Sequence, residues 1–157
     1  MNVDNVHERL LTAAPEDVTA LFADLDQLWP TPAFPAPEPE GDLLRLGVML
    51  WQPVERADSP LAYEIVEPEG DLLRLGPMLW QPVERAGAAR AYEIVGPKEF
   101  PASHWFEVNG AEGGTVLRHT VRGEAVGGFE PVWRDRIEPL HNAYMEAVLD
   151  RAQEALA

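Results

Sequence analysis

The side chains whose types and spacing could do chemistry are three histidines and a tyrosine near the C-terminal end of the chain. His104 and His119 lie in two strand-like runs, 103–108 (SHWFEV) and 115–122 (TVLRHTVR), on either side of residues 109–114, a glycine-rich loop of hairpin type. Pairing the runs around that loop sets Val108 opposite Thr115, Phe106 opposite Leu117 and His104 opposite His119. Strand alternation then puts His104, Phe106, Leu117, His119 and Val121 on one face, apolar apart from the two imidazoles. His141 and Tyr144 stand three apart on a helical stripe and come near that face if the helix crosses it. Imidazole titrates near neutrality, so His104, His119 and Tyr144 are the candidates for acid/base catalysis, or for holding the polar end of a largely apolar ligand. Three converging imidazoles could also bind a metal with one position open. The sequence names no carboxylate to orient them, so neither metal nor cofactor is expected. The plainer alternative is a set of buried histidines hydrogen-bonded to their neighbours.

Large aromatic residues accompany these groups. Trp80, Tyr92 and Trp133, with their counterparts Trp51 and Tyr63, are either ordinary core or the lining of a binding site, where rings with a polar tip are common. The candidate ligand-binding set is therefore Trp80, Tyr92, His104, Phe106, Leu117, His119, Trp133, His141 and Tyr144. GxSxG, HExxH, P-loop and GxGxxG patterns do not occur, and Ser59 and Ser103 have no evident partner for a triad. Glu55, Arg56, Glu84 and Arg85 read as solvated strand ends.

The elements that must position these residues follow from periodicity. Residues 6–13 (VHERLLTA) read as a strand. Pro15, Glu16 and Asp17 then start an amphipathic helix expected over 15–29, with Val18, Leu21, Phe22, Leu25 and Leu28 on one face. Residues 30–37 (PTPAFPAP) exclude helix and strand alike. Strand segments fill 38–122, and Gly127-Gly128 separates them from a long helix over 131–155. Its stripe is Trp133, Ile137, Leu140, His141, Tyr144, Val148 and Ala152, with Arg134, Asp135, Glu138, Glu146, Asp150 and Glu154 off it, and Pro139 predicts a bend near 137–140.

Residues 38–66 are written again as 67–95, at a constant shift of 29 and without a linker. The copies differ only at Val48/Pro77, Asp58/Gly87, Ser59/Ala88, Pro60/Ala89 and Leu61/Arg90. Two copies are too few for a solenoid, so a tandem duplication within a single domain, 1–157, is the reading. If each copy is one long bent strand plus Ala-Tyr-Glu-Ile-Val, both copies sit in the sheet and enlarge it; if Gly47 and Gly76 divide each copy into three strands, keeping both in one meander reverses the strand that follows, and one copy must leave the sheet. The second copy, contiguous with the His104 hairpin, is expected to stay, with the first extending outward to enlarge the sheet edge or to pair with another subunit as a homodimer.

Composition narrows the partners. A formal net charge of -15 disfavours nucleic acid and anionic lipid surfaces. The absence of cysteine removes disulfides, thiol nucleophiles and thiolate metal sites. No run approaches the roughly 20 apolar residues of a membrane span, so no membrane insertion is expected, and the N-terminal residues lack the basic and apolar regions of a signal peptide. A cytoplasmic location is the expectation.

Strand, helix, antiparallel strands and a long last helix make an α+β chain with helices on one face of a sheet. In that order it resembles the START-like helix-grip superfamily (SRPBCC, polyketide cyclase/dehydrase-like), in which a curved antiparallel sheet wraps a long C-terminal helix. The residues that carry the likeness are Ala14 to Val18 (APEDV) with Leu21 and Trp29, Gly113 to His119 (GGTVLRH), Trp133, Ile137 to His141 (IEPLH) and Leu149-Asp150-Arg151. The resemblance implies binding of an apolar or amphipathic small molecule, such as a lipid, polyketide or aromatic compound, between sheet and helix. A polyketide cyclase or dehydrase-type enzyme using the histidines is the alternative, and a protein-interaction module is the third class. The duplicated segment departs from the family pattern.

Overall fold

The computed structural model describes residues 1–24, 27–30, 38–46, 49–56, 59–65, 73–75 and 78–157. Strand β1 (Asn2–Leu11) is followed by helix α1 (Pro15–Ala20) and a 3₁₀ turn, Leu21–Ala23. Then come β2 (Glu38–Glu40), β3 (Leu43–Leu46), β4 (Met49–Arg56), β5 (Ser59–Ile65), β6 (Leu73–Leu75), β7 (Met78–Val83), β8 (Ala88–Gly96), β9 (Ala102–Ala111) and β10 (Gly114–Glu124). Helix α2 (Phe129–Val132), a π turn (Trp133–Ile137) and α3 (Glu138–Ala155) complete the chain. A seven-stranded antiparallel sheet has the order β1-β10-β9-β8-β7-β3-β2, and β5-β4-β6 form a separate small sheet.

The first helix is shorter than its periodicity predicts. Proline at its first turn and the acidic Glu16 and Asp17 start it as expected. It tightens to 3₁₀ at Leu21, and the backbone turns extended at Asp24. The tighter turn leaves Leu21 and Phe22 buried, with the Phe22 ring 5.1 Å from that of Phe106. Leu25 and residues 31–37, predicted helix face and loop, lie outside the described residues.

The last helix carries its irregularity just ahead of Pro139. Proline inside an α-helix clashes with the carbonyl four residues back and removes a donor. Here a five-residue π turn precedes it, closed by the Glu138 N–H donating to the Trp133 carbonyl, and Pro139 sits in the first turn of the helix that restarts. The wider turn also shifts the phase of the buried stripe. Met145 and Leu149 join Leu140, Val148 and Ala152 in the core, two residues that a constant 3.6-residue period from Trp133 does not select.

Helix α3 is tied to β1 by a polar ladder. Strand positions Asn5, His7 and Arg9 recur about every 6.6 Å, and helix positions Asn142, Glu146 and Asp150 about every 6.0 Å, so the two rows stay in step. Asn5 Nδ2 donates to Asn142 Oδ1 at 2.9 Å, His7 Nδ1 meets Glu146 Oε1 at 2.9 Å, and Arg9 bonds both Glu146 and Asp150. Glu146 and Asp150, placed off the stripe by the sequence, thus hold the helix to the edge of the sheet.

The repeat is divided in a way that neither copy-by-copy alternative anticipates. The expectation that copy two as a unit stays in the sheet is corrected: β2 and β3 of copy one remain in the large sheet, β4 and β5 leave it, and β6 of copy two leaves with them. Leu44, Arg45 and Leu46 pair with Trp80, Leu79 and Met78, while Leu73, Arg74 and Leu75 pair with Trp51, Leu50 and Met49. Each Leu-Arg-Leu strand has therefore taken the Met-Leu-Trp strand of the other copy, in equivalent register. The pairs Trp51↔Ile65 and Trp80↔Ile94 likewise correspond. Three strands leave together, and the remaining ones keep their alternating directions.

Differences between the copies agree with that division. Copy two supplies the central strand β8. Its turn holds Gly87 at φ 80°, a conformation glycine adopts without a steric penalty, and Arg90 Nη2 donates to the Phe22 carbonyl at 2.8 Å. Copy one has Asp58 and Leu61 there. It also has Pro60, whose missing N–H is tolerated in β5, an edge strand of the small sheet.

Candidate functional site

The His104 face is built by the β9–β10 hairpin, whose turn is tighter than expected. Ala111 pairs with Gly114, with Gly113 at φ 85° between them. The register is accordingly two residues from the predicted one: His119 lies opposite Phe106, and His104 opposite Val121. A slip of two preserves the pleat. His104, Phe106, Leu117, His119 and Val121 do share the inner face, and all are buried.

Two apolar clusters meet there. One gathers Trp29, Trp80, Tyr92, Phe100 and Trp133, and the other Phe22, Phe106, Leu117, Met145 and Leu149, with Tyr144 packed against both. The imidazoles occupy the seam. Trp80 and His104 have ring centroids 4.4 Å apart, Tyr92 stacks on His104 at 5.0 Å, His104 and His119 are 5.6 Å apart, and Phe106 lies 4.6 Å from His119. His141 on α3 completes the row, 5.3 Å from His119 and 6.2 Å from Trp133, with Tyr144 6.3 Å further on. All nine residues of the candidate ligand-binding set thus belong to this interior. Trp51 and Tyr63 have no described side chains.

The key polar contact is between His119 Nε2 and His104 Nδ1, at 3.4 Å. His104 is 6 % exposed and His119 2 %. Burial pushes His104 and His141 down to about 3, and His119 well below the usual imidazole range, because the charged form loses its hydration; neighbouring histidines add to the effect on His119 and His141. All three are neutral at pH 7. Burial also raises the Tyr144 hydroxyl well above 10. A neutral imidazole has one donor and one acceptor. Whichever ring donates across the contact, the two outward nitrogens, His104 Nε2 and His119 Nδ1, are therefore one donor and one acceptor. Among the described residues both are buried without a hydrogen-bond partner, as are Trp80 Nε1 and His141 Nδ1.

Sequence reasoning passed over Trp29 and His7. The Trp29 ring lies 4.8 Å from Tyr144 and 6.3 Å from Trp80, and His7 lies 5.9 Å from His141. The odd-numbered positions of β1 signal a helix-facing row only once β1 is known to border the sheet beneath α3. Arg85, read as a solvated strand end, has its guanidinium 3.7 Å from the Trp105 ring centroid on the outer face. At that end of the sheet a cleft of about 740 Å³ is lined by residues that include Pro82, Arg85, Ala88, Arg90 and Tyr92. Tyr92 thus belongs both to the cleft wall and to the ring row. Among the described residues no group of three or more His, Asp or Glu side chains is arranged to hold a metal, and no helix is long and apolar enough to cross a membrane.

Solved structures share this architecture over nearly the full chain. Norcoclaurine synthase from Thalictrum flavum, solved in complex with dopamine and hydroxybenzaldehyde, matches with a TM-score of 0.60 and 14 % identity, covering 98 % of this chain and 87 % of that one. Ara h 8.0201 matches with a TM-score of 0.59 and 14 % identity, covering 99 % and 98 %. The fold is the helix grip, an antiparallel sheet packed against a long C-terminal helix. The di-domain ARO/CYC StfQ from the steffimycin biosynthetic pathway also matches, with a TM-score of 0.59 and 13 % identity; the whole of this chain spans 51 % of StfQ. No protein-family model and no curated protein sequence matches. The helix-grip chain differs from the simple strand–helix–strand–helix order in its looped-out three-stranded sheet.

Proposed function

We propose that this helix-grip protein binds a small, largely apolar molecule between the large sheet and α3, with the polar end of the ligand on the His104–His119 pair. The observation that carries the reading is the pair itself: two buried neutral imidazoles in contact, each with an outward nitrogen lacking a hydrogen-bond partner among the described residues, set in a row of aromatic rings. Burying polar groups without partners costs about 1–3 kcal/mol each, and a ligand that satisfies them recovers that cost. Native mass spectrometry of the freshly purified protein tests it. A small-molecule adduct is expected on the wild type and lost from His119→Phe; a bare wild-type protein that also takes up no aromatic probe contradicts the reading.

Acid/base catalysis by His104, His119 and Tyr144 is the second reading, favoured by the pair's ability to donate at one end while accepting at the other. It ranks lower because an imidazole near 3 is a weak base at neutral pH, and a tyrosine raised above 10 is a weak acid. For assembly, the reading includes a homodimer formed through the duplicated strands, supported by the equivalence of the two Leu-Arg-Leu and Met-Leu-Trp pairings, which a second copy could supply equally well. A monomeric mass at high protein concentration in light scattering would contradict that part.

A further inference from the structure

Building on the proposed ligand site, we infer that its ligand is uncharged at the polar end, and offers there a hydrogen-bond donor and an acceptor side by side, as a primary amide, a lactam or a hydroxy-carbonyl group does. Four unpartnered polar atoms sit in one continuous row of rings: Trp80 Nε1, His104 Nε2, His119 Nδ1 and His141 Nδ1. The indole nitrogen can only donate. The neutral imidazole pair always presents one donor and one acceptor, and its two tautomeric arrangements, which differ in the positions of both the proton shared across the 3.4 Å contact and the outer proton, exchange which end does which. The site is therefore indifferent to the order of donor and acceptor on the ligand, yet it requires both.

Charge is excluded by what surrounds the row. Among the described residues, the nitrogen-bearing side chains that approach from the packed elements are committed elsewhere. Arg9 is bonded to Glu146 and Asp150, His7 lies against Glu146 and Asn142, and Arg90 donates to the Phe22 carbonyl. No carboxylate is among the residues whose rings form the row, and Glu146 on α3 faces His7 and Arg9 on β1. A ligand carboxylate or ammonium would be buried in an apolar seam without a counter-charge, which is far more costly than burying a neutral polar group with its hydrogen bonds made. Desolvation keeps the imidazoles themselves from supplying the positive charge.

The test compares three probes of similar size and shape on the full chain at pH 7 by calorimetric titration: naphthalene-2-carboxamide, naphthalene-2-carboxylate and 2-isopropenylnaphthalene. The carboxamide should bind about tenfold or more tighter than either of the others. That preference should disappear in His119→Phe and be retained in part by His104→Gln, which keeps a neutral donor and acceptor. A carboxylate that binds as well as the carboxamide overturns the inference and leaves the ligand-binding reading standing. Failure of all three probes to bind overturns both.

Discussion

Acidification should destabilise this protein through its buried histidines, and His104 gives the magnitude. In the unfolded chain its imidazole takes up a proton near pH 6.5; in the fold, burial holds it near 3. Between those values the unfolded state carries the extra proton, so the stabilising contribution is complete above about pH 6.5 and declines as pH falls towards 3. From pH 7 to pH 5 the linkage amounts to about 2 kcal/mol for this one group, a large part of an ordinary domain's stability. The formal charge of -15 acts in the opposite sense, because protonating surface carboxylates relieves their mutual repulsion. The informative comparison is therefore between wild type and His104→Phe, which share that background. Urea unfolding at pH 7 and pH 5 should show the wild type losing about 2 kcal/mol more than the variant. Parallel losses in the two proteins would refute the claim that His104 is buried neutral in the seam.

Other expectations follow from the same geometry. Gly123→Ala should cost about 1–3 kcal/mol in chemical unfolding, since a Cβ there meets Ala102 and the Pro101 carbonyl. Arg90→Leu, which gives copy two the residue of copy one, should lose about 1 kcal/mol with its bond to the Phe22 carbonyl, and an unchanged urea midpoint would argue against a role in choosing between copies. Deleting residues 49–77 removes one 29-residue unit and joins β3 to β7 through Gly47-Val48. The shortened chain should keep its far-ultraviolet circular dichroism shape and cooperative unfolding, and a chain that fails to fold would contradict the view that the small sheet is expendable.

The fold was legible where local pattern and tertiary packing agree. Proline and acids at Pro15-Glu16-Asp17, alternation through 103–108 and 115–122, and the spacing of Leu140, Tyr144 and Val148 each name an element and its inner face. The candidate site was legible for the same reason, because a two-residue slip of the hairpin leaves every side chain on its face. Other features depend on energies that no short window contains. The early stop of the first helix serves a contact between Phe22 and Phe106, more than eighty positions apart. The π turn before Pro139 moves Met145 and Leu149 into the core by changing the phase of the helix. The Asn5, His7 and Arg9 row has meaning only opposite Asn142, Glu146 and Asp150. The division of the repeat was hidden because identical strands compete for identical partners, so the choice falls to connectivity and to a few substitutions such as Gly87, Arg90 and Pro60.

Imidazole ¹⁵N chemical shifts of the four histidines, recorded at pH 7 with and without naphthalene-2-carboxamide, test the central claim most directly. His104 and His119 should give the pattern of neutral rings without ligand, one protonated and one bare nitrogen each, and His104 Nε2 and His119 Nδ1 should shift on binding while His7 stays in place. Shifts confined to His7, or a doubly protonated His104 or His119 at pH 7, would contradict it.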